Sequence, residues 1–267
     1  YLLYDCYGPI PIADLETLKN PMAEKILPRL REEEMQTYIE TELTEASKVL
    51  PANYKKGDKN YGRFTAGLAH TVLLKLYMLT KQRDKAEAEG RELMKPEYGF
   101  ELVPEYKDIF TLANEKNPEI IWACQCAKGY QEHKWQPHVL PNDYNFTSYL
   151  DKMTKWNGYK ISWDFMQTFD PADRRLLTIA YEYTSKDGVV HNEKNDRPDP
   201  SAQLYLGAVP LKYEFDPDCT GEDSQIDWII YRYADVLTLT AEAIVRNKNA
   251  VTQEAVDLLN EVRTRSL

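Results

Sequence analysis

The stretch YRYADVLTLTAEA, residues 231–243, decides the fold. It is too apolar for a surface helix with one wet face, yet Arg232, Asp235 and Glu242 are threaded through it. Ala234 and Ala241 stand seven residues apart, two helical turns, so both lie on one stripe. A helix that is apolar on several sides, with small residues where backbones cross, is what stacked helix pairs require. The pattern predicts a helix over residues 228–243, a polar turn RNKNA, and a second helix over residues 252–262 carrying Ala255 and Leu259.

The same plan occurs earlier in the chain. FTAGLAHTVLLKLYMLTKQRDKAEAEGRELM, residues 64–94, reads as two helices joined by a polar turn at 81–84. Leu73, Tyr77 and Ala86 take the large, large and small positions of a tetratricopeptide-type pair. Before it, Met35, Tyr38, Ile39, Leu43, Ala46 and Leu50 recur at helical spacing and Pro51 stops the pattern. The first 21 residues, punctuated by Gly8, Pro9, Pro11 and Pro21, read as a loop and turn.

Between the pairs the texture changes. EIIWACQ, residues 119–125, is a β-prone run, and residues 129–163 are aromatic, polar and irregular. Residues 176–192 predict a hairpin, with Thr178, Ala180, Glu182 and Thr184 on one face and a turn at Lys186-Asp187-Gly188. The expected architecture is mainly α: one domain whose tetratricopeptide-like scaffold occupies residues 29–95 and 228–267, with a loop-rich insertion containing a small β-hairpin over 96–227.

Composition excludes several functions. A net charge of -10 argues against nucleic acid, because phosphate binding needs clustered Lys and Arg. The longest apolar run, residues 68–79, is broken by His70 and Lys75 and is shorter than the roughly 18 to 20 residues a bilayer requires. Cys6, Cys124, Cys126 and Cys219 show no zinc spacing and read as buried thiols. His70 falls in a helix core pattern, and His133, His138 and His191 fall in loops without ligand spacing. Phosphate-loop, Rossmann and nucleophile-elbow motifs are absent.

What remains is aromatic: 19 Tyr and 5 Trp. In residues 129–163, Trp135, Tyr144, Trp156, Tyr159 and Trp163 stand among Asn145 and Asn157. Flat rings complement the C–H faces of sugars and the amides match ring hydroxyls, so these seven are the candidate glycan-binding residues. The competing reading is that the rings anchor the insertion by packing. A weaker candidate is calcium in DPDCTGEDSQID, where Asp216, Asp218, Thr220, Gly221 and Asp227 match positions 1, 3, 5, 6 and 12 of a calcium-loop template. Pro217, Cys219 and the lack of an entering helix oppose it.

Several segments, taken in order, resemble the SusD/RagB family: YGPIPI at residues 7–12, the Gly62-Arg63 before the 64–94 helix pair, YGFELVPEYKDIF followed by NPEIIW, DPADRRLLTI, LKYEF, and IIYRYADVLTLTAEAI with AVDLLNEVRTRS. Asp235 stands where the family more often has Glu. The resemblance implies a tetratricopeptide-like fold, no catalysis, and an outer-membrane lipoprotein on the cell surface that captures glycan for a SusC-like TonB-dependent transporter. The family's lipidation cysteine has no counterpart here and Cys6 does not match its position, so the chain corresponds to an internal portion of the family. Two alternatives stay open: a protein-interaction scaffold that binds no sugar, and a binder of another nutrient such as peptide.

Overall fold

A computed structural model describes residues 1–20, 22, 26–144, 153–219 and 221–267. In chain order the elements are helices α1 (Leu2–Tyr7), α2 (Leu15–Lys19), α3 (Glu32–Val49), α4 (Ala66–Leu79) and α5 (Arg83–Leu93), strand β1 (Ile120–Cys124), and helices α6 (Trp135–Val139) and α7 (Trp163–Met166). Strands β2 (Ile179–Ala180), β3 (Glu182–Thr184) and β4 (Val190–Asn192) follow, then α8 (Glu193–Asp196), β5 (Val209–Pro210), β6 (Trp228–Arg232), α9 (Tyr233–Lys248) and α10 (Gln253–Ser266). The fold is mainly α. No helix among the described residues is long and apolar enough to cross a membrane. The chain divides into two compact units: Tyr1–Phe100 with Tyr233–Leu259, and Glu101–Arg232 with Asn260–Leu267.

In the first unit α3 packs on α4, α4 on α5, and α5 on α9. Thr65 starts α4 by accepting the Leu68 N–H at 3.1 Å, satisfying one of the orphan donors of the first turn. Leu73, Leu74, Leu76 and Tyr77 are buried, so α4 has neighbours nearly all round. Small residues make the crossings close: a Cβ on Gly90 would stand 2.0 Å from Thr240 Oγ1, and Ala86, Ala234 and Ala241 are buried. Thr240 satisfies its own hydroxyl by donating to the Val236 carbonyl at 2.6 Å. Ala255 packs with Ala241 and Ile244, joined by Leu258; Leu259, expected to help carry this face, is exposed.

The second unit is built on short two-stranded pairings. β1 pairs antiparallel with β6, β2 with β5, and β3 with β4. Val139, Leu140, Trp163, Leu204, Ala208 and Val209 belong to one core cluster; Ile109, Phe110, Tyr213 and Ile226 belong to another. Fully buried Glu119 binds Arg232 at 2.8 Å, the Val103 N–H at 2.9 Å, and Arg265.

Several expectations need correction. Residues 228–232 are strand rather than helix: WIIYR is β-branched and aromatic, and β1 offers it a backbone partner, with Cys124 opposite Trp228 and Ile120 opposite Arg232. The first residues contain two short helices, because the prolines fall between them and Asp14 caps α2 by accepting the Thr17 N–H at 2.7 Å. The alternation over 178–184 breaks at exposed Tyr181. Arg174–Thr178 is a 3₁₀ turn and Ile179–Ala180 pairs with β5, so only β3 and β4 form the hairpin, and Tyr183 turns inward. The four cysteines are free; Cys219 is buried, Cys124 and Cys126 are half-buried, and Cys6, against expectation, is exposed on α1.

Candidate functional site

The site grows from α6, a helix of five residues whose end carbonyls need partners. The backbone of residues 156–160 supplies them. The Trp156 N–H donates to the Pro137 carbonyl, the Asn157 N–H to Leu140, and the Gly158 and Tyr159 N–H groups to His138, all at 2.8 Å. Lys160 Nζ donates to Val139 at 3.1 Å, and burial pushes this amine down to about 8. The approach is so close that a Cβ on Gly158 would stand 2.7 Å from the His138 oxygen.

This latch presents three rings together. His138 lies edge-on to Trp156 at 4.7 Å between centroids and tilted against Tyr159 at 5.2 Å. Trp156 is 39% and Tyr159 59% exposed. Tyr159 stacks on Trp135 at 6.3 Å and 21°, and Trp135 leans on Trp228, itself stacked on Tyr213. Beside these rings opens a cleft of about 750 Å³ lined by Gln131, Glu132, Lys134, Trp135, His138, Tyr159 and Trp228 among others. Lys134 Nζ stands 6.0 Å from the Trp156 ring centre. His133, also lining the cleft, is pushed by burial below the usual imidazole range, so its ring is neutral at neutral pH. Fixed rings with a few polar groups bind a ligand that has both an apolar face and hydroxyls.

Of the predicted residues, Trp135, Trp156, Asn157 and Tyr159 come together here. Asn157 acts as a hinge with φ of 53°, its Nδ2 donating to the Gln203 carbonyl at 3.1 Å. Tyr144 and Trp163 do not belong to this surface. Both are buried in one core cluster: Tyr144 packs on Tyr183 at 4.6 Å, and Trp163 Nε1 donates to the Leu204 carbonyl at 3.0 Å. For these two rings the packing alternative describes what is seen. Asn145 lies outside the described residues. Lys134, His138 and Trp228 went unselected; Trp135 and His138 stand three apart on α6, a helix where the sequence predicts loop. Trp228 was hidden by its assignment to a helix.

Among the described residues the carboxylates of the calcium template are engaged by amides. Buried Asp216 accepts the Asp218 N–H at 2.9 Å and the Gln225 N–H at 2.8 Å, which makes it a turn-holding residue. Asp218 accepts from Gln225 Nε2 at 3.2 Å, and Asp227 accepts the Cys126 N–H at 2.8 Å. Thr220 lies outside the described residues. Among the described residues no three His, Cys, Asp or Glu side chains group to hold a metal ion.

In fold the chain is similar to solved structures of the SusD superfamily. A SusD-superfamily protein from Parabacteroides distasonis superposes with a TM-score of 0.73 at 18% identity, covering 99% of this chain and 57% of that one. The surface glycan-binding protein A from Bacteroides uniformis does so with 0.71 at 24% identity, covering 97% and 54%. The protein A from Bacteroides thetaiotaomicron, solved with laminarihexaose, gives 0.66 at 17% identity, covering 89% and 55%. The chain thus spans somewhat more than half the length of these structures. The SusD family model matches residues 218–266, the stretch from the acidic loop through α9 and α10. No curated protein matches it in sequence.

Proposed function

We propose that the protein binds glycan chains without cleaving them, on the platform of Trp156, His138 and Tyr159 and the cleft beside it. Binding is at the cell surface, and the captured glycan passes to a SusC-like TonB-dependent transporter in the outer membrane. The observation that carries the reading is the latch: exposed rings are costly to leave in water, and here the carbonyls of α6 hold two of them out on a fixed backbone. Similarity in fold to the surface glycan-binding proteins supports it. So does the family match, since transfer to a transporter is what the SusD resemblance implies.

Weak binding suffices for a protein that hands its ligand on; micromolar to millimolar affinity, about 4 to 8 kcal/mol, is expected. The test is native affinity electrophoresis and calorimetry of the whole chain against laminarin, xyloglucan and starch, with assay for released reducing ends. One polymer should retard the protein unhydrolysed. Trp156→Ala and Tyr159→Ala should each weaken binding by about 1 kcal/mol, whereas Phe165→Ala, an exposed ring elsewhere, should leave it unchanged. No retardation by any glycan would sink the glycan reading, and failure to co-purify with a TonB-dependent transporter would remove the delivery half.

A further inference from the structure

Building on the glycan reading, we propose that the acidic loop at residues 221–225 acts as a charge filter, so that the platform takes neutral glycans and rejects those bearing uronate. The loop is fixed to the platform's edge: His133 and Ser224 exchange both backbone hydrogen bonds, at 3.0 and 2.8 Å. That pairing places Glu222 and Asp223 against Lys134, the only cation among the described lining residues of the cleft. Lys134 Nζ stands 2.6 Å from Glu222 Oε2 and 3.9 Å from Asp223 Oδ1. Glu132, which also lines the cleft, has one oxygen engaged by the Gly129 N–H at 3.1 Å.

The consequence is electrostatic. Without its partners, Lys134 beside the Trp156 face would attract a carboxylate carried by a stacked sugar. As built, the Lys134 ammonium is answered by two carboxylates, Glu222 and Asp223, and is not free to take a third. A neutral sugar avoids the conflict, because its hydroxyls donate to carboxylates and accept from the ammonium. A uronate must displace Glu222 from Lys134 or sit among like charges. All these groups are half-exposed, so the discrimination is modest: about three- to tenfold per uronate at low salt, shrinking as the Debye length falls from roughly 30 Å at 0.01 M salt to about 8 Å at 0.15 M.

The experiment uses laminarin, xyloglucan and starch and the same three polymers oxidised at C6 to uronate, run against the whole chain and its Glu222→Gln, Asp223→Asn double variant. The readout is the affinity ratio between each polymer's neutral and oxidised forms. In the unaltered chain a neutral form should bind about three- to tenfold better at low salt, with the ratio approaching one in high salt and falling to one or below in the variant. Equal binding of both forms or preference for the oxidised form by the unaltered chain, or a ratio unchanged in the variant, would overturn the filter while leaving glycan capture standing. No binding of either form of any polymer would bring down glycan capture itself, and the filter with it.

Discussion

The helical unit, Tyr1–Phe100 with Tyr233–Leu259, and the loop-rich unit, Glu101–Arg232 with Asn260–Leu267, solve the same problem differently. Where α5 crosses α9, shape does the work: Gly90 leaves room for Thr240, and the apolar faces of α4 and α9 close around alanines. In the loop-rich unit much of the backbone has no regular ladder, so side chains answer its polar groups. Glu119 holds Arg232, Arg265 and the Val103 N–H, while Asp216 and Glu214 hold loop amides. Where regular structure does not pair the backbone, buried polar side chains must. The lesson is that one unit is vulnerable to changes of volume and the other to changes of charge.

The comparison can be broken most sharply at Glu119. Glu119→Leu leaves Arg265 buried opposite no carboxylate and should lower unfolding stability by about 3 to 5 kcal/mol in urea titration; a loss below 1 kcal/mol would show that the ion cluster is dispensable. Next in size is Gly90→Val, expected to destabilise by about 2 to 3 kcal/mol through overpacking. Combining it with Thr240→Ala should restore part of that loss, and a strictly additive double variant would mean the two sites do not touch. A third effect belongs to the loop-rich unit alone. Burial pushes the Glu115 carboxyl up to about 7 while it accepts the Asp227 N–H at 2.8 Å. Its folded value lies above the ordinary 4.5, so its contribution is whole below pH 4.5 and is lost as pH rises through about 7. After discounting for solvent screening, stability should fall by about 1 to 2 kcal/mol across that window, and Glu115→Gln should flatten the fall. The smallest effect sharpens the contrast at a place where the loop-rich unit also depends on volume: Gly158→Ala should cost about 1 kcal/mol of stability and weaken glycan binding. Unchanged binding would mean that Trp156 and Tyr159 do not depend on the latch for their position.

Legibility followed the same division. The helices α3, α4 and α5 were readable to within a residue or two, because their apolar spacing, the polar turn at 81–84 and the Pro51 stop are local. Residues 228–232 were misread as helix because WIIYR is apolar enough to continue into α9, and only pairing with β1 makes it a strand. At the site, Trp156 and Trp163 are chemically alike and seven residues apart. Nothing local separates the ring held out beside His138 from the ring whose N–H reaches the Leu204 carbonyl.

By itself the sequence determined the helical class, the paired helices with small residues at their crossings and the aromatic richness of residues 129–163. These depend on periodicity and composition, which a chain carries with it unfolded. Only the tertiary structure decided which rings face water, that Asp227 holds the Cys126 amide, and that Lys134 stands answered by Glu222. Each of those depends on contacts between residues tens of positions apart, such as Tyr159 with His138 and His133 with Ser224, and such contacts exist only once the backbone's unpaired groups have found one another.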